Sequence, residues 1–297
     1  MHSWVGRRAG ANAQEGAVVT LDVSGPELDR ASEIVTDLRS RFPDVVELHR
    51  AARELDGRLR VAVRGRSGTG RDTMARAIRE RLEVTPIGPG DDDADADVWL
   101  YVVVGWPRPA DRIALRRLPP ERTVLALGKA DTLGSWEDAE DTAHACSADL
   151  GRSVHPVMPL LASVDLADEE FALLAQMVRD DEPMPSMAAH FITGDRAERT
   201  LRTGLLRRLD QFGILSALDL IEAADDAGSP LDRGALESLL RRQSGISALT
   251  APLAETLDAV RVRRLHGVAG LLDRVAASGT ARDEIEHTLS RFVRVDA

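Results

Sequence analysis

Two short stretches hold residue types whose spacing could do chemistry. Residues 65–73, GRSGTGRDT, place Gly65, Gly68 and Gly70 between an apolar run and an amphipathic one. Glycines so spaced let the backbone turn until successive N–H groups point at one anion, and a helix starting near Arg71 adds the positive end of its dipole. The chemistry this suits is the cradling of phosphate. The frame is that of a phosphate loop, GxxxxGK[ST], with Arg71 in the lysine position and Asp72 in that of serine or threonine. Arg71 keeps the charge in a bulkier planar fork. Asp72 exchanges a magnesium-ligating hydroxyl for a carboxylate, which adds negative charge beside phosphates and helps only around a tightly held metal. Thr73 carries its hydroxyl one residue late, about 100° further round a helix. The plainer reading is a tight strand-to-helix turn that binds nothing.

The second stretch is VLALGKADTLG, Val124 to Gly134. Lys129 is the only lysine in 297 residues; every other member of the 38 Lys and Arg residues is arginine. Gly128, Lys129 and Asp131 resemble the [NT]KxD guanine-specificity motif of the GTPases, with glycine in the first position. In that motif the aspartate accepts from the guanine N1–H and exocyclic amino group, while the lysine stem lies along the purine face. A composition that prefers arginine elsewhere thus keeps lysine where a slim stem is wanted; the alternative is a solvated charge at a strand end. Farther on, HPVMPLLAS closes in Ala162 and Ser163, which resemble the last guanine-contacting motif, a backbone N–H to the guanine carbonyl.

Other parts of a GTPase are missing. A switch threonine and a DxxG turn hold magnesium and the attacking water in that family. Between Gly70 and Val98 there is room only for a helix and one short strand, LEVTPIG. Thr85 and the DxxG spelled by Asp131 to Gly134 are discounted, and the strand ending near Val104 runs into Gly105 and Trp106, not a metal-binding aspartate. The acidic run Asp91, Asp92, Asp93, Asp95 and Asp97 reads as a solvated loop.

These residues need elements to position them. RLRVAVRG (58–65) reads as a strand and TMARAIRERL (73–82) as a helix, with further strands at 98–104, 123–127 and 154–161. Helical or polar sequence between them predicts an α/β fold with a parallel sheet. Helical periodicity also precedes the first strand, over residues 24–43 and 44–55, and after about Asp165 only helices remain. Ser229, Pro230 and Gly245 read as the cap, first turn and left-handed stop of one of them. RVRRLHGV (261–268) reads as a helix surface.

The helical lead-in, the order of motifs and the long helical C-terminal part, including residues 204–249, resemble the bacterial dynamin-like GTPases, in particular actinobacterial ones. The resemblance implies a P-loop G-domain-like parallel sheet with a reduced switch region, followed by an all-helical domain. The expected division is a disordered N-terminus (1–16), N-terminal helices (17–56), a degenerate G-like α/β domain (57–165) and a helical bundle or stalk (166–297). The expected phosphate contacts are Gly65, Gly68, Gly70, Arg71, Asp72 and Thr73; the expected guanine contacts are Lys129, Asp131, Ala162 and Ser163. No catalytic residue and no metal ligand is assigned.

The functional expectation is a pseudo-GTPase that binds GTP or GDP weakly or not at all, with magnesium left open. It would act as an assembly or regulatory partner of another protein, such as an intact dynamin-like GTPase. An active NTPase completed by a second chain, with Asp72 on the metal, and a helical scaffold with a vestigial pocket stay open as alternatives. A net charge of −11 and a pI near 5.2 argue against nucleic acid. The single cysteine, Cys146, excludes an internal disulfide and a cysteine-rich zinc site, and it reads as a small buried hydrophobe. The longest apolar run, VWLYVVVGW, is about half of a membrane-crossing helix. A cytoplasmic protein is expected, with peripheral membrane contact left open.

Overall fold

The computed structural model describes residues 20–55 and 57–292; the segment expected to be disordered, 1–16, lies outside the described residues. Five short strands, β1 (Arg60–Gly65), β2 (Thr85–Ile87), β3 (Val98–Val103), β4 (Thr123–Leu127) and β5 (Val154–Pro156), form one parallel sheet in the order β2-β1-β3-β4-β5. The register sets Val61 opposite Val98, Trp99 opposite Thr123 and Leu125 opposite Val154. The protein is therefore α/β, as the alternation of strand and helix patterns predicts.

Both faces of the sheet are covered, which is why its inner strands read as continuous apolar runs. On one face Val61, Val63, Leu100, Val102, Val124 and Ala126 meet Met74 and Ile78 of α3 (Arg71–Arg81). On the other, Tyr101, Val103, Leu125 and Leu127 pack with Leu115 of α4 (Pro109–Leu115) and with Ala143 and Cys146 of α5 (Trp136–Leu150). Cys146 is fully buried, as its reading as a core residue requires.

The helices before the sheet, α1 (Pro26–Arg41) and α2 (Val46–Leu55), pack against α12 (Leu257–Ala277) near the far end of the chain. Between lie α6 (Pro159–Ala162), α7 (Asp168–Arg179), α8 (Ala188–Phe191), α9 (Arg196–Asp226), α10 (Arg233–Gln243) and α11 (Thr250–Glu255), with α13 (Arg282–Phe292) after α12. Ile246, Leu249, Leu253 and Val260 enter the core of the sheet face that α3 covers. The helical sequence after residue 165 thus shares a core with the sheet.

Four local expectations are corrected. The last strand stops at Pro156 instead of Leu161, because Pro156 and Pro159 bring no N–H to a ladder and the Met158 N–H donates to the Ser244 carbonyl at 2.7 Å. The cap of α10 is Asp232, whose Oδ1 accepts the Ala235 N–H at 2.7 Å. Ser229 belongs to the stop of α9, since its N–H donates to the Ala224 carbonyl at 2.9 Å. Gly245 does follow α10 in the left-handed region, at φ 72.

The other two corrections belong together. Asp97 is not part of a solvated loop: it is fully buried and takes hydrogen bonds from Arg264 (2.6 Å), the Arg60 backbone N–H (2.9 Å) and Arg263 (3.3 Å). Arg264, read as helix surface, is itself only 1% exposed and also donates to the Gly57 and Arg58 carbonyls. Glu54 of α2 completes the cluster through Arg60 and Arg263. A charge at each of these positions tolerates burial because each is paired.

Candidate functional site

The glycine-rich turn leaves β1 at the edge where Gly65 lies opposite Val102. A Cβ on Gly65 would stand 2.5 Å from the Val102 carbonyl oxygen and 2.9 Å from Thr69 Oγ1, with φ at +147, so only glycine fits. The turn closes on itself through buried Thr69, whose N–H and Oγ1 both donate to the Arg66 carbonyl at 3.3 and 2.8 Å. Gly70, at φ 82, then reverses the chain into α3, which begins without a side-chain cap. The first N–H groups of that helix have no helical partner by geometry. Beyond Gly68 the space is open, with no atom within 4 Å of an added Cβ. Open space, uncapped N–H groups and a helix dipole together can receive an anion.

β4 delivers the second stretch to the same edge. The Gly128 N–H donates to the Val103 carbonyl at 2.9 Å. Lys129 then turns left-handed (φ 56, ψ 38) and leads into a 3-10 turn, Ala130–Leu133. This bend sets the lysine Cε 4.0 Å from the Cβ position of Gly70. The two motifs, far apart in the chain, are side by side. The glycine that departs from the guanine motif has a steric cause, since a Cβ at 128 would stand 2.7 Å from Val102 Cγ1 and 3.4 Å from the Thr69 carbonyl oxygen.

Arg71 is half-buried at the start of α3 and forms no hydrogen bond or ion pair among the described residues. Asp72 is exposed and Thr73 half-buried beside it. Among the described residues no group of three or more His, Cys, Asp and Glu could hold a metal ion. Asp131 is half-buried, and burial is the main cause that lifts its carboxyl above the usual range; its own backbone N–H and Lys129 pull the other way, while the charge of Asp210 pushes it up. Asp210 sits where α9 breaks its helical path (φ 58, ψ 179). The Asp131 carboxylate has no side-chain donor among the described residues.

Ala162 and Ser163 are not brought to this edge by a strand. Ala162 is fully buried on α6 within the core that contains Met74 and Val157. The Ser163 carbonyl accepts from Arg76 at 3.1 Å, and its Oγ is buried without a partner. The backbone that does follow β5 next to the lysine turn is Val157, whose carbonyl accepts the Ala130 N–H at 3.4 Å.

Sequence reading missed one cluster in the loop. Arg66 donates through Nε to both oxygens of Asp111 at 3.1 Å, and Asp111, fully buried, also accepts from the Tyr101 hydroxyl at 2.9 Å and the Arg108 N–H at 2.8 Å. Burial first, and then the bond to Asp111, hold the Tyr101 phenol well above its usual range, so it remains a donor. A legible signal was there: Asp111 stands three residues after Arg108 at the start of α4, a helix-capping position.

No protein-family model matches this chain, and no curated protein matches it either. Among the described residues no helix is long and apolar enough to cross a membrane.

Proposed function

We propose that the protein is a pseudo-GTPase of dynamin-like type. It keeps the backbone of a phosphate site and the aspartate of a guanine site, lacks the parts that hydrolyse, and works as an assembly or regulatory partner of another protein. The observation that carries this reading is that Lys129 Cε stands 4.0 Å from the place a Cβ on Gly70 would take, which sets an anion-receptive turn beside the stretch that carries Lys129 and Asp131. Gly65 supports it, because a nucleotide phosphate needs backbone where a side chain would stand. Guanine is the base that suits Asp131, an acceptor with no side-chain donor among the described residues.

The loss of hydrolysis is supported by what stands between β2 and β3. Asp93 in that segment is tied to Arg64 at 2.5 Å and to the Trp99 indole N–H at 2.8 Å, so a short pinned loop occupies the place of a switch. The loop at β1 brings a solitary exposed carboxylate, Asp72, where a hydroxyl would ligate magnesium. Bound nucleotide would rest its phosphates on the N–H groups of residues 68–73 and its base on Lys129 and Asp131.

Titrating labelled GDP and ADP into the purified protein tests the proposal. Guanine is expected to bind better, because adenine would leave Asp131 facing an acceptor, a mismatch of about 1–3 kcal/mol. Asp131→Asn is expected to remove the preference, and phosphate release from GTP to stay at background. Equal affinity for both bases, or binding untouched by Asp131→Asn, replaces this reading with a helical scaffold whose pocket is vestigial.

A further inference from the structure

Two open surface grooves lie away from the nucleotide-like edge, and their charges are opposite. One follows the first half of α9 and is lined by Arg196, Arg199, Thr200, Thr203 and Arg207. The other follows α1 and is lined by Asp29, Ser32, Glu33, Thr36, Asp37 and Ser40. Each stripe recurs every three or four residues, so each occupies one helix face. Each groove spans twelve residues of its helix, a rise of about 16 Å. The arginine groove contains no acid and the acidic groove no base.

The three arginines form no hydrogen bond or ion pair through their side chains among the described residues, and neither do Asp29 and Glu33. Elsewhere on α9 Arg202 holds Glu182 and Glu198, whereas within the acidic groove Asp37 is held by Arg41, which also holds Glu284. The Thr200 and Thr203 hydroxyls donate back to the Arg196 and Arg199 carbonyls, which keeps them low along the helix. What stays unmatched is a row of three arginines on α9 and two carboxylates one turn apart on α1, Asp29 and Glu33, which Asp37, shared with Arg41, extends along the same face.

We propose that these stripes are the two halves of one interface between copies of this chain, α9 of one copy lying on α1 of the next. Charge complementarity selects the occupant. A protein of net charge −11 repels its own copies except where such a cationic row meets an anionic one. The stripes belong to different parts of the molecule, since α1 packs on α2 and α12 whereas α9 packs on α7 and α10. The contact is therefore head-to-tail, and it builds a ring or an open row instead of a two-fold dimer. It does not depend on nucleotide.

Sedimentation velocity on three proteins tests this in low salt, over about 1–100 µM. The parent is expected to gain mass with concentration and to lose that gain in high salt. The variant R196E/R199E/R207E and the variant D29R/E33R are each expected to self-associate at least about tenfold more weakly, because like charges then face each other. Mixing the two is expected to restore association, since the acidic α9 of one meets the basic α1 of the other. Circular dichroism checks that each variant is folded; if D29R/E33R is not, E33R alone takes its place. A parent that stays monomeric throughout, variants that associate as the parent does, or folded variants whose mixture stays monomeric overturns the proposal. Retention of the parent on a polyanion column without self-association overturns it as well.

Discussion

Gly128 shows how one residue can look like decay in a sequence and be required by its surroundings. Asparagine or threonine would match the guanine motif better, yet Val102 Cγ1 stands 2.7 Å from the place of any Cβ. Gly128→Asn should therefore destabilise the protein by about 1–3 kcal/mol through overpacking, a loss that chemical denaturation reads directly. Asp131 makes the opposite case. Its carboxyl titrates above the ordinary 3.8, mainly because it is buried, so the folded state binds the proton more tightly than the unfolded one. Stability is then lost as the pH rises from the ordinary value through the raised one. Asp131→Asn should raise the melting temperature at pH 7 and leave it nearly unchanged below about pH 4, while it removes the preference for guanine. A melting temperature at pH 7 lower than the parent's would contradict this account.

At the scale of elements, two joints decide how the site is held. The first is the cluster where Asp97, at the start of β3, ties Arg60 of β1 to Arg263 and Arg264 of α12. Burial pushes the Asp97 carboxyl up, but hydrogen bonds from Arg264 and Arg60 outweigh it and hold it below its usual range. Its stabilising effect is complete above the unfolded value near 4 and disappears as the pH falls through the depressed one. Asp97→Asn should cost about 3–5 kcal/mol at pH 7, because Arg264 stays buried with its partner charge gone, and the difference from the parent should shrink in acid. The second joint is the break of α9 at Asp210, in a region that only glycine adopts without strain. Asp210→Gly gives up the 2.8 Å bond from the Gln211 N–H to Oδ1, yet it should still raise stability by about 1 kcal/mol. It should also move the Asp131 carboxyl toward its ordinary value, which carboxyl NMR titration would detect.

For the whole molecule, the division at residue 165 is one of sequence pattern and not of packing. Ile246, Leu249, Leu253 and Val260 share one core with the sheet and α3, and at about 1.5–3 kcal/mol for each buried side chain they contribute on the order of 6–12 kcal/mol. That is comparable to the 5–15 kcal/mol by which a typical domain is stable. Residues 57–165 expressed alone should accordingly lack cooperative unfolding and protected amides. A sharp thermal transition in that fragment would show the sheet to be independent. The helices before the sheet join the late helices as well, through α2 and α12, so the helical lead-in and the helical C-terminal part share a core.

Local order is what the sequence by itself determined. β3 and β4 announce themselves as apolar runs because both their faces are buried, and the glycines at 65 and 70 are legible because close approach and left-handed turns select glycine wherever they occur. Lys129 was legible as an exception to composition. The tertiary structure alone decided which distant residues meet. No local pattern tells that Asp97 and Arg264 cancel each other's burial, that Val102 forbids a side chain at 128, or that Arg66 reaches Asp111. The last strand was read too long for the same reason: two prolines and a hydrogen bond from the Met158 N–H to the Ser244 carbonyl end β5 early, and Ser244 closes α10, much later in the chain. Periodicity and turn chemistry act over a few residues, whereas pairing of buried charges and exclusion between side chains act through space, and only the folded chain brings those partners within reach.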